Sequence, residues 1–521
     1  MAGTDNRESY SKAISQLFTA LPATQEYPEP LNTTVKGRIP EWISGSLLRN
    51  GPSVFQVGND KYNHFFDGLS NIHRFNIQNG RVTYQSKFLR SDDFKRATGA
   101  DRIVLSAFGT FAYPDPCKNI FQRFFSYFKM GDVTDNGAVN IVKMGEDFCG
   151  ITETHKIRKV DPKTLATLGE KIDYADVVSV NGASAHPHID NDGTVYNIAI
   201  KYGLYSTYHI VKIPPADKGC ENPLQKATIA CTVPMSYSHP AYYHSFGISE
   251  NYYIYIEQPL VVNIWKALLY KPFKKPVRDC IEWHPEWKTY FHIIRRDTGE
   301  ELETKYMTEA MFLFHHANAY EKDHHLIIDV FGYHDSDLID KLFMKSAQDG
   351  NPLNLAEPWR FILPLNVKKD ATAEENLVTL EGTTASATKQ TDDSIYCIQE
   401  NIFDIEYGLE FPTVNYRQYN GKEYRYMYCF GDEFKQLFKG DCKEKTYKSW
   451  EEEDCFPAEP IFVPAPDAKN EDEGVVLSAV MNVGDKPSFL LVLDGETFEE
   501  IGRAEVPVRV HWSAHGFFEP E

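Results

Sequence analysis

A short pattern returns along this chain: a strand-like run, a turn of Asp or Asn with Gly or Thr, and a second strand-like run. It occurs at Phe75-Asn76-Ile77-Gln78-Asn79-Gly80-Arg81-Val82-Thr83-Tyr84 and at Val160-Asp161-Pro162-Lys163-Thr164-Leu165. Further copies are Arg296-Asp297-Thr298-Gly299-Glu300 and Leu493-Asp494-Gly495-Glu496-Thr497-Phe498. Asn-Gly and Asp-Gly make the turn whose twist matches two antiparallel strands, so the pattern predicts hairpins. Irregularly spaced hairpins over 521 residues, without helical blocks between them, suggest a propeller or a large sandwich. The 33 Phe, 30 Tyr and 7 Trp residues favour strands as well. Helical signal is confined to insertions near Ser9–Leu21 and Asp337–Ala347. Residues 1–35 read as a polar lead-in, where Pro22, Pro28 and Pro30 discourage helix, and 36–521 as a single domain.

Four short stretches each present one histidine among small or apolar neighbours. They are Ala185-His186-Pro187-His188, Tyr242-Tyr243-His244-Ser245-Phe246-Gly247, Leu313-Phe314-His315-His316-Ala317-Asn318 and Ala514-His515-Gly516-Phe517. At the first, a strand-like run of small residues ends on a histidine followed by proline. Proline cannot donate to a sheet ladder, so the imidazole is expected at a strand end with room around it. Ferrous iron that must keep positions open for dioxygen and substrate needs both the nitrogen and the room. With 17 histidines present, any single one is more often a core or surface residue than a ligand. Three carboxylates sit in similarly apolar text, at Glu153, Glu410 and Glu459. Such a group is costly to bury unless paired, and metal-ligating histidines commonly donate their second ring nitrogen to a carboxylate.

Other chemistries are excluded by absence. There is no HExxH, GxSxG elbow, P-loop or dinucleotide fingerprint. Nine cysteines without a CxxC pair fit thiols in a reducing compartment. A net charge of −20 argues against nucleic acid as a partner. No apolar run is long enough to span a bilayer, and the N-terminus lacks the plan of a signal peptide. The expected location is cytoplasmic, with a mitochondrial one left open. Two stretches, 120–130 and 262–278, set aromatic and aliphatic bulk beside Lys and Arg, as a face docked peripherally on a membrane does. Core segments with solvated ends are the other reading of both.

Longer motifs carry a resemblance. They include Gly45-Ser46-Leu47-Leu48-Arg49-Asn50-Gly51-Pro52, Phe66-Asp67-Gly68, Tyr113-Pro114-Asp115-Pro116-Cys117-Lys118-Asn119-Ile120-Phe121, Val180-Asn181-Gly182-Ala183 and Glu459-Pro460-Ile461-Phe462-Val463-Pro464. Through them the chain resembles the carotenoid cleavage oxygenases from about Val35 to Phe518. The likeness is to the animal branch that holds the β-carotene oxygenases and the retinoid isomerase of the visual cycle. The resemblance implies an all-β, seven-bladed propeller, with a cap of loops and short helices over an iron centre on its axis. It implies Fe2+ bound by His186, His244, His315 and His515, with Glu153, Glu410 and Glu459 supporting three of the imidazoles. It also implies that Phe108, Thr152 and Tyr242 border the substrate tunnel, and that Cys117 matches a lipidated cysteine. His188 and His316 are not matched as ligands.

The activity implied is dioxygen-dependent cleavage of a carotenoid double bond, with central 15,15′ cleavage of β-carotene to retinal favoured. Eccentric cleavage, retinyl-ester isomerohydrolysis without dioxygen, and plain carotenoid or retinoid binding are the alternatives. The chain departs from the pattern at Ala107-Phe108-Gly109-Thr110, at His155 and at Leu69-Ser70-Asn71-Ile72-His73, all of which bear on tunnel shape.

Overall fold

In the computed structural model, residues 3–114, 117, 133–203, 205–217 and 220–521 are described. Seven sheets of four to six strands, antiparallel except where Tyr306–Thr308 pairs with Ile395–Ile398, form a seven-bladed propeller. The hairpins read from sequence are present in it. The strands Leu69–Gln78 and Arg81–Phe88 meet at Gln78 and Arg81, with Asn79 and Gly80 both at positive φ between them. That is the conformation an Asn-Gly hairpin turn requires.

Blade 1 runs from Tyr27–Asn32 through Arg81–Phe88, Leu69–Gln78 and Gly45–Val54 to His515–Pro520. The innermost strand therefore comes from the C-terminus, in register from Gly45 opposite Pro520 to Asn50 opposite His515. Blade 2 spans Asn140–Met144 to Thr167–Asp173, and blade 3 spans Gly182–Ala183 to Thr228–Pro234. Blade 4 begins at Gly247–Ile248, blade 5 at Phe312–Lys322 and blade 6 at Leu409–Thr413. Blade 7 is built on Gly474–Asn482, with Thr34–Gly37 as its outer strand. Two blades thus contain strands from both ends of the chain, and pairing closes the ring. A closed ring leaves only short, protected sheet edges.

Residues 1–35, expected to be a polar lead-in, contain a helix over Gly3–Ala20 and contribute edge strands to two blades. Ile14, Leu17, Phe18 and Leu21 are buried in the main core. The prolines at 28 and 30 sit in the edge strand Tyr27–Asn32, a place where a missing N–H is tolerated. The second helical insertion resolves into two short helices, Asp337–Lys341 and Met344–Gln348. Ser15 donates to the Gln348 carbonyl at 2.6 Å and joins this insertion to the N-terminal helix.

Beneath them lies His64, fully buried, whose ring contacts Phe66, Phe108 and Phe343 and whose Nε2 donates to the Ile339 carbonyl at 2.7 Å. Burial pushes this imidazole down to about 3, so it stays neutral. Asp67 fixes the adjoining loop by accepting from the Gly109 amide at 2.8 Å and from Thr110 Oγ1.

Candidate metal centre

Each blade, or a connection within or leading into it, delivers one residue to the axis. Blade 1 supplies His515, the connection between Asp147–Ile151 and Lys156–Val160 of blade 2 Glu153, blade 3 His186, the segment entering blade 4 His244, blade 5 His315, blade 6 Glu410 and blade 7 Glu459. One ring nitrogen from each of the four histidines lies within 4.8 Å of the other three. His186 and His244 bring their Nε2 atoms to 2.8 Å, and His244 and His315 to 3.2 Å.

Local breaks in pairing explain why these side chains turn inward. His186 follows the two-residue strand Gly182–Ala183, and Pro187 stops the ladder beside it. Ser184 Oγ accepts from the His186 amide at 2.9 Å and donates to the His244 carbonyl, which ties the two segments together. His315 lies in Phe312–Lys322 where the register shifts twice, between Leu313 and His316 and again between His316 and Asn318. A bulge of this kind re-aims a side chain. His515 opens the closing strand.

Three of the four imidazoles are oriented by carboxylates. His244 Nδ1 donates to Glu153, His315 Nδ1 donates to Glu410 at 2.6 Å, and His515 Nδ1 donates to Glu459 at 2.8 Å. These bonds leave each Nε2 as a lone-pair donor facing the axis. Burial drives His186 well below the usual imidazole range, and the neighbouring imidazoles add to it. Burial likewise takes His515 down to about 4 against the opposing pull of Glu459. Burial alone would raise Glu410, but His315, the Tyr333 hydroxyl and the Phe411 amide hold it below the ordinary carboxylate range. Neutral imidazoles beside ionised carboxylates are the protonation states that metal binding requires.

The Nε2 atoms of His244 and His315, both left as lone pairs by their carboxylate partners, repel each other at 3.2 Å unless a cation draws on both, so the arrangement fits a metal ion. Imidazole nitrogens suit zinc, copper, iron and nickel. His188 and His316 lie outside the cluster. His188 uses both nitrogens, on Tyr416 and on the Phe246 carbonyl, and His316 Nδ1 bonds Ser245 Oγ at 2.8 Å.

An aromatic chain leads away from the cluster. Phe314 meets the ring of His244 edge-on at 5.1 Å, Phe66 meets Phe314 at 6.0 Å, and Phe108 meets Phe66 at 5.4 Å. Tyr242 joins from the side, its hydroxyl donating to Glu153 at 2.8 Å and its ring 6.3 Å from Phe314. Thr152 stands between Glu153 and the end of the strand Asp147–Ile151. A separate cavity of about 1030 Å³ reaches His186, His315 and Glu459 along mixed walls that include His188, Arg296 and Tyr416 beside Phe246, Val414 and Phe462. Phe66, Phe108, Tyr242 and Phe314 do not line it.

Sequence reasoning missed Arg49, Phe66, Phe314, Tyr333 and Phe411 as parts of the site. Arg49 and Phe66 were legible in part, the first as a charge inside the apolar run Leu47-Leu48-Arg49. Nothing local marked the others. Of the two basic-apolar stretches, 120–130 lies outside the described residues. In 262–278, the helix Ile264–Leu269 buries none of its residues, and Trp265 and Phe273 are each 67% exposed.

A seven-bladed propeller with four convergent imidazoles on its axis defines a metalloprotein of one architectural class. The family model described as retinal pigment epithelial membrane protein (RPE65) matches residues 20–520, and the chain belongs to that family. Among its relatives, the β,β-carotene 15,15′-dioxygenase of Rattus norvegicus is 44% identical over 95% of this chain and 90% of its own. The mitochondrial carotenoid-cleaving dioxygenase of Mustela putorius furo is 40% identical over 99% of both. Among solved structures, a mutant of Synechocystis apocarotenoid oxygenase superposes with a TM-score of 0.78 at 23% identity. It covers 98% of this chain and 99% of that one.

Proposed function

We propose that this protein is an iron(II) dioxygenase that cleaves a conjugated double bond of a carotenoid, with β-carotene cut centrally to retinal. The observation that carries the reading is the axial set of four imidazoles and three carboxylates. It occurs in a chain whose full-length relatives bear the names of carotenoid dioxygenases. His186, His244, His315 and His515 would hold the metal, and Glu153, Glu410 and Glu459 would keep the rings in place. Bound iron(II) supplies one-electron chemistry toward dioxygen that no side chain provides.

The protein's own part is positioning. Phe66, Phe108 and Phe314 pack ring on ring beside the centre and would supply the apolar surface against which a rigid polyene is held. Tyr242 presents a ring face to positive charge developing on that polyene, while its hydroxyl remains bonded to Glu153. Thr152, next to Glu153 in the chain, would border the same surface. The buried His64, packed on Phe66 and Phe108, would help keep water from these rings.

A carotenoid is too apolar to arrive through water, so the reading includes peripheral contact with a bilayer. The exposed Trp265, Leu268, Leu269 and Phe273 support it, with Lys266 and Lys275 beside them. The Arg278 amide, at the end of this patch, donates to the Phe108 carbonyl at 2.8 Å. The patch is thereby joined to the aromatic rings. Cys117, which is exposed, would be the acylated residue in the same contact. A single chain anchors only marginally, so the patch would supply most of the affinity. We assign the protein to the cytoplasmic side of a membrane; relatives named mitochondrial make that organelle the other compartment to test.

Product analysis decides the activity. Protein loaded anaerobically with iron is given β-carotene and then oxygen. Retinal supports central cleavage, and apocarotenals would move the cut to an eccentric bond. Conversion of a retinyl ester without oxygen uptake would replace the reading by isomerohydrolysis.

A further inference from the structure

The three carboxylates around the centre have different partners. Glu153 accepts from His244 and from the Tyr242 hydroxyl. Glu410 accepts from His315, from the Tyr333 hydroxyl and from the Phe411 amide. Every one of these partners is a donor, the set of contacts that a carboxylate anion accepts. Among the described residues, Glu459 alone of the three also has a full positive charge against it. Arg49 Nη1 donates to Glu459 Oε2 at 2.8 Å while His515 bonds Oε1 of the same group.

Arg49 is completely buried. Its remaining donors reach the segment that carries His515, with Nη2 at 2.7 Å from the Ala514 carbonyl and Nε at 3.4 Å from Ser513 Oγ. A guanidinium cannot lose its proton in a protein, so this charge is permanent. A neutral residue would satisfy the strand Gly45–Val54 more cheaply than a buried cation does.

Counting charges shows what Arg49 changes. Four imidazoles contribute none, three carboxylates contribute minus three and the guanidinium plus one, which leaves minus two. A divalent ion makes the assembly neutral, and a trivalent one leaves it with an uncompensated positive charge. Such a charge in a low-dielectric interior is disfavoured. We infer that Arg49 is a positioning residue that acts through Glu459 to set the metal's charge state. It holds bound iron as Fe(II) by making the ferric state electrostatically unfavourable.

The inference rests on the iron reading above, and the test separates the two. Wild type, Arg49→Lys, Arg49→Met, Glu459→Gln and the double variant Arg49→Met/Glu459→Gln are loaded with iron anaerobically, and their iron content is measured. The Fe(III)/Fe(II) midpoint is then titrated, with mediators carrying the single electron that leaves the metal.

Arg49→Met should favour Fe(III) by about tenfold over wild type, a fall of about 59 mV for one electron. Arg49→Lys should stay near the wild-type midpoint. Glu459→Gln should shift upward, and the double variant should return toward wild type because the assembly is again neutral with a divalent ion. A merely structural role would not produce that return.

An unchanged midpoint in iron-loaded Arg49→Met overturns the inference. Should that variant fail to fold, equal midpoints in Glu459→Gln and the double variant overturn it. A wild-type protein that takes up no iron would instead sink the iron reading, and this inference with it.

Discussion

Phe411 lays its ring on that of His515, centroids 4.4 Å apart and planes 20° from parallel, from a backbone held at a φ of +55°. A bulky residue in the left-handed region is strained, and strain of that kind persists where surrounding contacts over-determine it. Here the same carboxylate, Glu410, accepts from the Phe411 amide and from His315. Phe411 therefore braces two ring systems at once.

Phe411→Leu should keep the fold but loosen His515. We expect metal to leave to a chelator several-fold faster than from wild type, followed as loss of bound metal with time. An unchanged release rate would show that the ring contributes nothing to the centre.

His186→Ala, His244→Ala, His315→Ala and His515→Ala should each abolish bound metal and turnover. The cluster holds no carboxylate ligand that could replace a missing nitrogen. His188→Ala and His316→Ala should retain metal, because both lie outside the convergent set. Elemental analysis of the purified variants checks this, and metal loss from His188→Ala but not His186→Ala would reverse the assignment.

Removing an orienting charge should weaken the centre without removing it. Glu410→Gln should lower metal affinity or activity by roughly 10- to 100-fold. Tyr333→Phe, which deletes a hydroxyl bonded to the same carboxylate, should have a smaller effect in the same direction. Competition for metal against a chelator of known strength measures both. Wild-type affinity in both would take Glu410 out of the site.

Stability should carry a pH signature from His292, which is not one of the clustered histidines. Its buried ring lies between Glu301 at 2.6 Å and the fully buried Glu257 at 3.0 Å. Burial opposes its charge, but the two carboxylates outweigh burial and lift the imidazole to about 9. A folded-state value above the unfolded one stabilises the protein fully below about 6.5, and the contribution is lost as pH rises through 9. His292→Gln should therefore lower Tm markedly at pH 6 and much less at pH 10. Equal losses at both pH values would show that the ring is neutral in the folded protein.

Replacing Trp265, Leu268 and Phe273 together with serine should release the protein from liposomes. Each large side chain is worth roughly 1.5–3 kcal/mol when fully buried, so losing three costs several kcal/mol if all insert. Turnover of membrane-held carotenoid should fall with binding, while turnover of detergent-solubilised substrate should fall much less. Unchanged flotation would end the peripheral-membrane reading.

What the sequence determined by itself was local or pairwise in origin. Turn chemistry at Asn79-Gly80 dictates a hairpin wherever it lies, and alternating strands must bury one face, so an all-β architecture was readable. Four histidines and three glutamates in protected text were visible as candidates, and the family resemblance joined them into one set. Only the tertiary structure decided which atoms meet. His186 and His515 stand 329 positions apart, and their rings come within 4.4 Å because the C-terminal strand closes blade 1. The N-terminal helix had the composition of a lead-in, yet a core waiting at Leu17 and Phe18 gives its apolar side somewhere to bury. Tyr333, Phe411 and the charge of Arg49 acquired a role only because ring closure packs blades 1, 5, 6 and 7 around one axis. Which charges then offset one another there depends on distances that linear spacing does not contain.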